Sequence, residues 1–139
     1  MKNRILVLST LLTTLGSTMV FAEVAVIVHP SNANALDAAT VAKIYLGREK
    51  SFADGQSVVP MSLVETAPSS ASFNDVVLKK SASQLKAYWS KLVFTGKGTP
   101  PKELTTEEEM LKLVAGNPSL IGFVDASKVD ASVKVAFKF

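Results

Sequence analysis

Val24-Ala25-Val26-Ile27-Val28 decides the fold, because it is a short, uninterrupted apolar run that His29 and Pro30 end. All of its residues except Ala25 are β-branched. Such a run is typical of a strand that is covered on both faces, as the strands of parallel sheets are. We therefore predict a buried strand of a parallel sheet at residues 24–28.

The residues that follow predict a helix and a second strand. Asp37 can cap a helix, and Gly47 can end it. After a turn at Asp54-Gly55, the apolar residues 58–61 predict a short strand. Pro60 has no backbone N–H, so we expect this strand to lie near an edge of the sheet or to finish there.

The middle of the chain carries an apolar stripe at helical spacing. Its members fall at positions i, i+3, i+4, i+7 and i+8: Leu85, Tyr88, Trp89, Leu92 and Val93. This spacing predicts an amphipathic helix. We interpret the stripe as part of the core, and an aromatic groove for a partner, lined by Tyr88 and Trp89, is the alternative.

The last third of the chain predicts one more helix and two more strands. A threonine-glutamate capping box within residues 105–109 begins the helix, and Gly116-Asn117-Pro118 ends it. Residues 120–124 and 133–137 have the apolar patterns of strands. The alternation of strands and helices predicts an α/β domain with a mainly parallel sheet flanked by helices.

The N-terminus predicts export from the cytoplasm. Two basic residues precede a largely apolar run that ends at the small residue Ala22, which is the layout of a secretory signal peptide. An uncleaved membrane anchor is the alternative, but serine, threonine and glycine dilute the run. We expect residues 1–22 to be a cleaved signal peptide and residues 23–139 to form a single periplasmic domain.

Composition excludes several classes of function. The chain has no cysteine and one histidine, His29, and its carboxylates lack the spacing of an acid/base pair or a metal site. We therefore predict no catalytic residue, metal or cofactor. The chain has 15 Lys and Arg against 12 Asp and Glu, but Lys2 and Arg4 leave with the signal peptide. The near balance that remains argues against nucleic-acid binding.

Several short segments form an ordered set along the chain: Val26-Ile27-Val28-His29-Pro30-Ser31-Asn32, Ile44-Tyr45-Leu46-Gly47, Gln84-Leu85-Lys86-Ala87-Tyr88-Trp89, Phe94-Thr95-Gly96-Lys97-Gly98, Pro100-Pro101 and Ile121-Gly122-Phe123-Val124. In this order they resemble the type 2 periplasmic binding proteins, and in particular the short phosphate ABC transporter substrate-binding-like proteins. The resemblance implies a solute-binding fold with an oxyanion such as phosphate as the ligand class. It also implies that this chain corresponds to one lobe of the two that clamp phosphate.

Two polar segments are candidate anion sites. Residues 66–72 are predicted to form a loop that leads into a helix, where free backbone N–H groups attract anions. Hydroxyl groups on this loop would add donors: Thr66, Ser69, Ser70 and Ser72. The second candidate is Ser31 with Asn32, because ligands of open α/β sheets bind beyond the carboxyl ends of strands. The alternatives are a helix cap for the first segment and an ordinary turn for the second.

Larger relatives place an arginine against the anion, but residues 60–72 contain none. Arginine grips phosphate through two parallel hydrogen bonds that hydroxyl groups cannot replace. We predict a periplasmic solute-binding-like protein that binds phosphate or a related small inorganic anion for an ABC permease, and a homodimer could restore the missing lobe. The alternative is a non-transport interaction or sensory module of the cell envelope that docks on a membrane partner.

Overall fold

The computed structural model describes Gly16 and residues 23–139. The predicted signal peptide therefore lies outside the described residues, apart from Gly16. No helix in the described part is long and apolar enough to cross a membrane. The elements are β1 (Val24–Val28), α1 (Ala38–Tyr45), β2 (Val59–Leu63), α2 (Pro68–Phe73), a π-helical turn (Asn74–Leu78), α3 (Ala82–Phe94), β3 (Lys102–Leu104), α4 (Glu107–Gly116), β4 (Leu120–Asp125), a 3-10 turn (Ala126–Lys128) and β5 (Lys134–Lys138).

One five-stranded sheet, in the order β3-β2-β4-β1-β5, organises the domain. Strands β2, β3 and β4 run parallel to one another, whereas β1 pairs antiparallel with both β4 and β5. Because β5 is antiparallel to β1, it runs in the same direction as β2, β3 and β4, so four of the five strands share one direction. The predicted α/β class, with a mainly parallel sheet and flanking helices, is confirmed. The expectation that β1 has parallel neighbours is wrong, because burial on both faces reflects only its central position and not its direction.

The reversed direction of β1 decides which loops meet. Val24, at the start of β1, lies opposite Asp125, at the end of β4, and Val28 lies opposite Ile121. Strand β2 is parallel to β4, so its end at Leu63 lies at the same edge as Asp125. We call this edge, which carries the ends of β2 and β4, the β2–β4 edge. The loop after β1 leaves from the opposite edge.

Pro60 is accommodated in an interior strand. Strand β2 has a neighbour on each side, but β3 pairs only with Met61, Ser62 and Leu63. Pro60 pairs with Ile121 of β4, at a point where no residue of β3 faces it. The missing N–H therefore costs the sheet no hydrogen bond on the β3 side. The short strand β3 itself was not predicted, since its three residues follow two prolines and include two charges.

Aromatic rings form the centre of the core on one face of the sheet. Phe73 of α2 stacks on Phe123 of β4, with ring centroids 4.1 Å apart, and Tyr45 of α1 meets Phe73 edge-on at 4.6 Å. The Tyr45 hydroxyl donates a hydrogen bond to the Met61 carbonyl (2.8 Å). Burial raises the pKa of Tyr45 well above its usual value. These rings join two helices to the two central parallel strands.

Helix α4 packs against β4 through a glycine. A side chain on Gly122 would collide with Met110, and it would also press against Val114. The helix begins at one of the two predicted threonines, because the Thr106 hydroxyl accepts a hydrogen bond from the Glu109 N–H (3.1 Å), which is the threonine half of the predicted capping box. Asp37 caps α1 in the same way, through the Thr40 N–H. Capping residues thus position both helices as the sequence predicts.

We expect Phe73→Ala to lower the free energy of unfolding by about 3–5 kcal/mol, since it leaves a cavity against Phe123 and Tyr45. Phe73 is 1% exposed. Val76→Ala, at an exposed position in the adjoining π-helical turn, is the matched control and should cost far less. Urea denaturation followed by circular dichroism measures both. Equal losses for the two variants would contradict the packing described here.

Candidate ligand sites

The predicted loop at residues 66–72 is mostly helix. Helix α2 begins at Pro68, so Ser69, Ser70 and Ser72 lie within it rather than ahead of it. Proline at the first helical position is a common helix start. It also carries no N–H, and the N–H groups of Ala67 and Ser70 already donate to the carbonyls of Val64 and Ala67. The expectation of a row of free amides is therefore wrong.

The hydroxyl groups of Ser69 and Ser70 are buried and have protein partners. Ser70 donates to the Val64 carbonyl (2.8 Å) and approaches that of Leu63 (3.2 Å), so it fastens α2 to the end of β2. Ser69 donates to Oε1 of Glu107 (2.8 Å). Thr66 is exposed and Ser72 half-buried. Of the four predicted hydroxyl ligands, Ser69 and Ser70 therefore form hydrogen bonds within the protein.

Glu107 is the centre of a groove at the β2–β4 edge. Its Oε1 atom accepts a hydrogen bond from the Ser69 hydroxyl and another from the Asp125 N–H, each at 2.8 Å. We call the surrounding 440 Å³ depression the Glu107 groove; its lining consists of Val64, Thr66, Ala67, Pro68, Ser69, Thr105, Thr106, Glu107, Glu108, Asp125, Ser127 and Lys128. Two donors from separate elements therefore converge on a single carboxylate oxygen, as donors in an oxyanion site do.

The charges around this groove are mixed. Lys128 and Glu108 form an exposed ion pair at 3.7 Å. Hydrogen bonds from the hydroxyl and the N–H of Ser127 hold the pKa of Asp125 below its usual value, so this carboxyl group stays ionised at neutral pH. With Glu107, the groove carries three carboxylates against one ammonium group. An added anion would meet net negative charge here.

Ser31 and Asn32 lie at the opposite edge of the sheet from residues 66–72. Ser31 follows β1, whose end faces the start of β4, so the two predicted segments cannot form one site. The Ser31 N–H and hydroxyl contact Nδ1 of His29, and the buried Asn32 side chain accepts from Asn34. Lys134 donates to the Asn32 carbonyl (2.8 Å). These contacts describe a hydrogen-bonded turn, the alternative that the sequence left open.

A larger cleft of 680 Å³ lies on the other side of α2, between α3 and the ends of β2 and β3. We call it the α3 cleft. Its polar lining consists of Ser62, Glu65, Ser70, Asn74, Lys86, Ser90 and Glu103, and its apolar lining of Tyr45, Leu63, Leu78, Ala82, Leu85, Trp89, Val93, Phe94, Pro100 and Pro101. Ser70 is the one predicted ligand residue that borders it.

Helix α3 forms a wall of this cleft and does not enter the core. None of its residues is buried, and Phe94 at its end is 92% exposed. The interpretation of its apolar stripe as core is wrong in that no residue of the stripe is fully buried, although Leu85 and Tyr88 are half-buried against the core. The helix itself is confirmed, with a capping box formed by Ser81 and Gln84. Amphipathic spacing identifies the apolar face of a helix but not the surface that covers it. The alternative, an aromatic groove, fits the structure better.

Trp89 fixes the position of α3 against the rest of the domain. A methyl group on Gly47 or on Gly98 would lie 3.3 Å from the indole ring, so both glycines allow the ring to approach their backbone. Gly47 also adopts a φ of +73°, where a side chain would be strained. The neighbouring Tyr88 donates its hydroxyl hydrogen to the Leu46 carbonyl (2.7 Å). These contacts tie α3 to the end of α1.

Sequence reasoning missed Glu107, Glu65 and Glu103. Glu107 lies with Glu108 and Glu109 in the first turn of α4, where acidic residues complement the helix dipole without any further role. No spacing signal links it to Ser69, because the contact spans 38 residues along the chain. Among the described residues, no group of acids and histidine is placed to hold a metal ion.

Solved structures share this fold. An ABC-type phosphate transport receptor from Vibrio cholerae matches at a TM-score of 0.64 and 17% identity, over 82% of this chain and 46% of that one. A Clostridium perfringens structure assigned as a phosphate ABC transporter substrate-binding protein, with bound phosphate, matches at a TM-score of 0.65 and 21% identity, over 82% of this chain and 44% of that one. PstS from Borrelia burgdorferi matches at a TM-score of 0.60 and 14% identity, over 84% of this chain and 47% of that one.

The fold is therefore that of a periplasmic-binding-protein lobe, as the sequence resemblance implies. The chain spans less than half the length of each of these structures. No family model matches the chain. No curated protein matches it either.

Ser70→Ala should lower the free energy of unfolding by about 0.5–1.5 kcal/mol, because it removes the buried hydroxyl that fastens α2 to the end of β2, while the Val64 carbonyl keeps the Ala67 N–H as a donor. Ser72→Ala, in the same helix but with a half-buried side chain, is the control and should be nearly neutral. Thermal unfolding followed by circular dichroism compares the two. If Ser70→Ala were as stable as the parent, the structural role of this hydroxyl would be refuted.

Proposed function

We propose that this chain is a non-enzymatic solute-binding domain of the cell envelope and that its oxyanion site is the Glu107 groove. The signal-peptide layout of residues 1–22 supports export to the periplasm. The fold supports solute binding, since three phosphate-transport or phosphate-bound structures share it. Phosphate or a related oxyanion is the ligand class, and an ABC permease is the corresponding partner.

The observation that carries this proposal is the convergence of two donors on one oxygen of Glu107. The Ser69 hydroxyl and the Asp125 N–H both lie 2.8 Å from Oε1. An oxygen of a bound phosphate would satisfy the same two donors if the carboxylate moved aside. Thr66, which also lines the groove, would supply a hydroxyl, and Lys128 would supply a positive charge that it now shares with Glu108. Glu107 thus acts as an internal competitor for the anion.

Because Glu107 must give way and no arginine assists, we expect the parent protein to bind phosphate weakly. Glu107→Ala removes the competing carboxylate and should tighten phosphate binding by about fivefold or more, which corresponds to ~1 kcal/mol. Isothermal titration calorimetry with phosphate and with sulfate measures this change.

Glu109→Ala is the control for that titration, since it removes the same charge from the same turn of α4 but does not line the groove. It should leave the affinity nearly unchanged. An identical gain in both variants would show a general charge effect. If Glu107→Ala gained no phosphate affinity while remaining folded, the Glu107 groove would not be the oxyanion site.

A second candidate function is docking on a membrane sensor, a transporter or a second copy of the chain. The exposure of Val93 (54%) and Phe94 (92%) at the end of α3 favours it, because large apolar side chains grouped at a surface often mark interfaces.

If this chain docks on a partner, light scattering should show a dimer or a purified envelope protein should bind it. Phe94→Ser should abolish either complex. A monomer that binds phosphate but no such partner would leave solute binding as the function.

A further inference from the structure

We propose that the α3 cleft is a second binding site, separate from the Glu107 groove, and that its ligand is an organic cation: an apolar body that carries one ammonium group. The cleft is large enough for a small molecule, at 680 Å³. It combines one long apolar wall with a polar rim, as sites for such molecules do. This inference goes beyond the oxyanion site and uses a different set of residues.

The rim of the cleft carries more negative than positive charge. Glu65 follows the end of β2, and Glu103 lies on the adjacent strand β3, directly opposite Ser62. Both carboxylates line the cleft, and Lys86 is its one basic residue. In the part of the chain that the structure describes, neither glutamate forms an ion pair. Two unpaired carboxylates at one rim are complementary to a cation.

The walls of the cleft provide apolar and aromatic surface for the body of the ligand. Leu85, Trp89 and Phe94 contribute one wall from α3, and Pro100 and Pro101 lie beside them. An indole ring attracts a nearby ammonium group through its π-electrons. Trp89 therefore complements both parts of the proposed ligand.

The buried hydroxyl groups in the lining of the cleft already have protein partners, so they are not available to hold an anion. The Tyr45 hydroxyl is committed to the carbonyls of Met61 and Ile121, and that of Ser70 to Leu63 and Val64. Arg48, the one arginine among residues 23–139, does not line the cleft. A cation is consequently the ligand charge that this lining favours.

The single tryptophan of the chain allows a direct test, because Trp89 lies in the wall of the cleft. Three probes share a cyclohexyl body and differ in charge: cyclohexylmethylamine, cyclohexylmethanol and cyclohexanecarboxylate. We expect the amine to change the Trp89 emission in a saturable way, with the alcohol binding more weakly and the carboxylate most weakly. Equal affinities for all three probes, or no response to any, would overturn the proposal.

Variants at the rim test the role of the carboxylates. Glu65→Gln and Glu103→Gln should each weaken amine binding by about threefold, the effect of losing one exposed charge contact. Neither should alter the binding of cyclohexylmethanol. Glu109→Gln, which makes the same change outside the cleft, should leave both affinities as in the parent. Unchanged amine affinity in the folded double variant Glu65→Gln/Glu103→Gln would refute the charge complementarity.

The two proposed sites fail independently. Phosphate binding at the Glu107 groove is measured by calorimetry and responds to Glu107→Ala, whereas amine binding is measured by Trp89 emission and responds to Glu65 and Glu103. If the protein binds the amine but not phosphate, the proposal of a cation site in the α3 cleft is supported and the proposal of an oxyanion site in the Glu107 groove is refuted. The opposite result would remove only the cation site.

Discussion

The antiparallel pairing of β1 between β4 and β5 is the constraint on which the rest of the structure depends. Every residue of β1 is buried, so the strand cannot leave the centre of the sheet without exposing the core. Its reversed direction sends the loop with Ser31 and Asn32 to one edge and leaves the ends of β2 and β4 at the other. Both ligand sites proposed for this chain lie beside the end of β2: the Glu107 groove between it and the end of β4, and the α3 cleft between it and β3.

Much of the fold could be predicted from local patterns. The strand at residues 24–28, the caps at Asp37 and Thr106, and the helix with Tyr88 and Trp89 all follow from residue type and spacing. The direction of β1 could not be predicted, since a strand buried on both faces has the same apolar pattern in either orientation. The short strand β3 was missed because it depends on pairing with β2 rather than on its own residues.

The candidate sites were less predictable than the fold. Ser69 and Ser70 were predicted to be anion ligands, but in the structure their hydroxyl groups donate to Glu107 and to the end of β2. These partners are distant in sequence or belong to the backbone, so no motif records them. The stripe on α3 has core-like spacing, yet it is only half-buried against the rest of the domain, and Val93 at its end is exposed. Tertiary contacts, which a single sequence does not contain, decided each of these outcomes.

The indole ring of Trp89 between Gly47 and Gly98 has a consequence for how the domain can change over time. Trp89 borders the α3 cleft, and two glycines outside the lining of that cleft leave space for its indole ring. Alanine at Gly98 would bring a methyl group within 3.3 Å of the ring, so the ring or the loop would have to shift slightly, whereas alanine at Gly47 would also strain the backbone at φ +73°. Of the two positions, Gly98 is therefore the one at which natural variation could reshape this recess without replacing any residue that lines it.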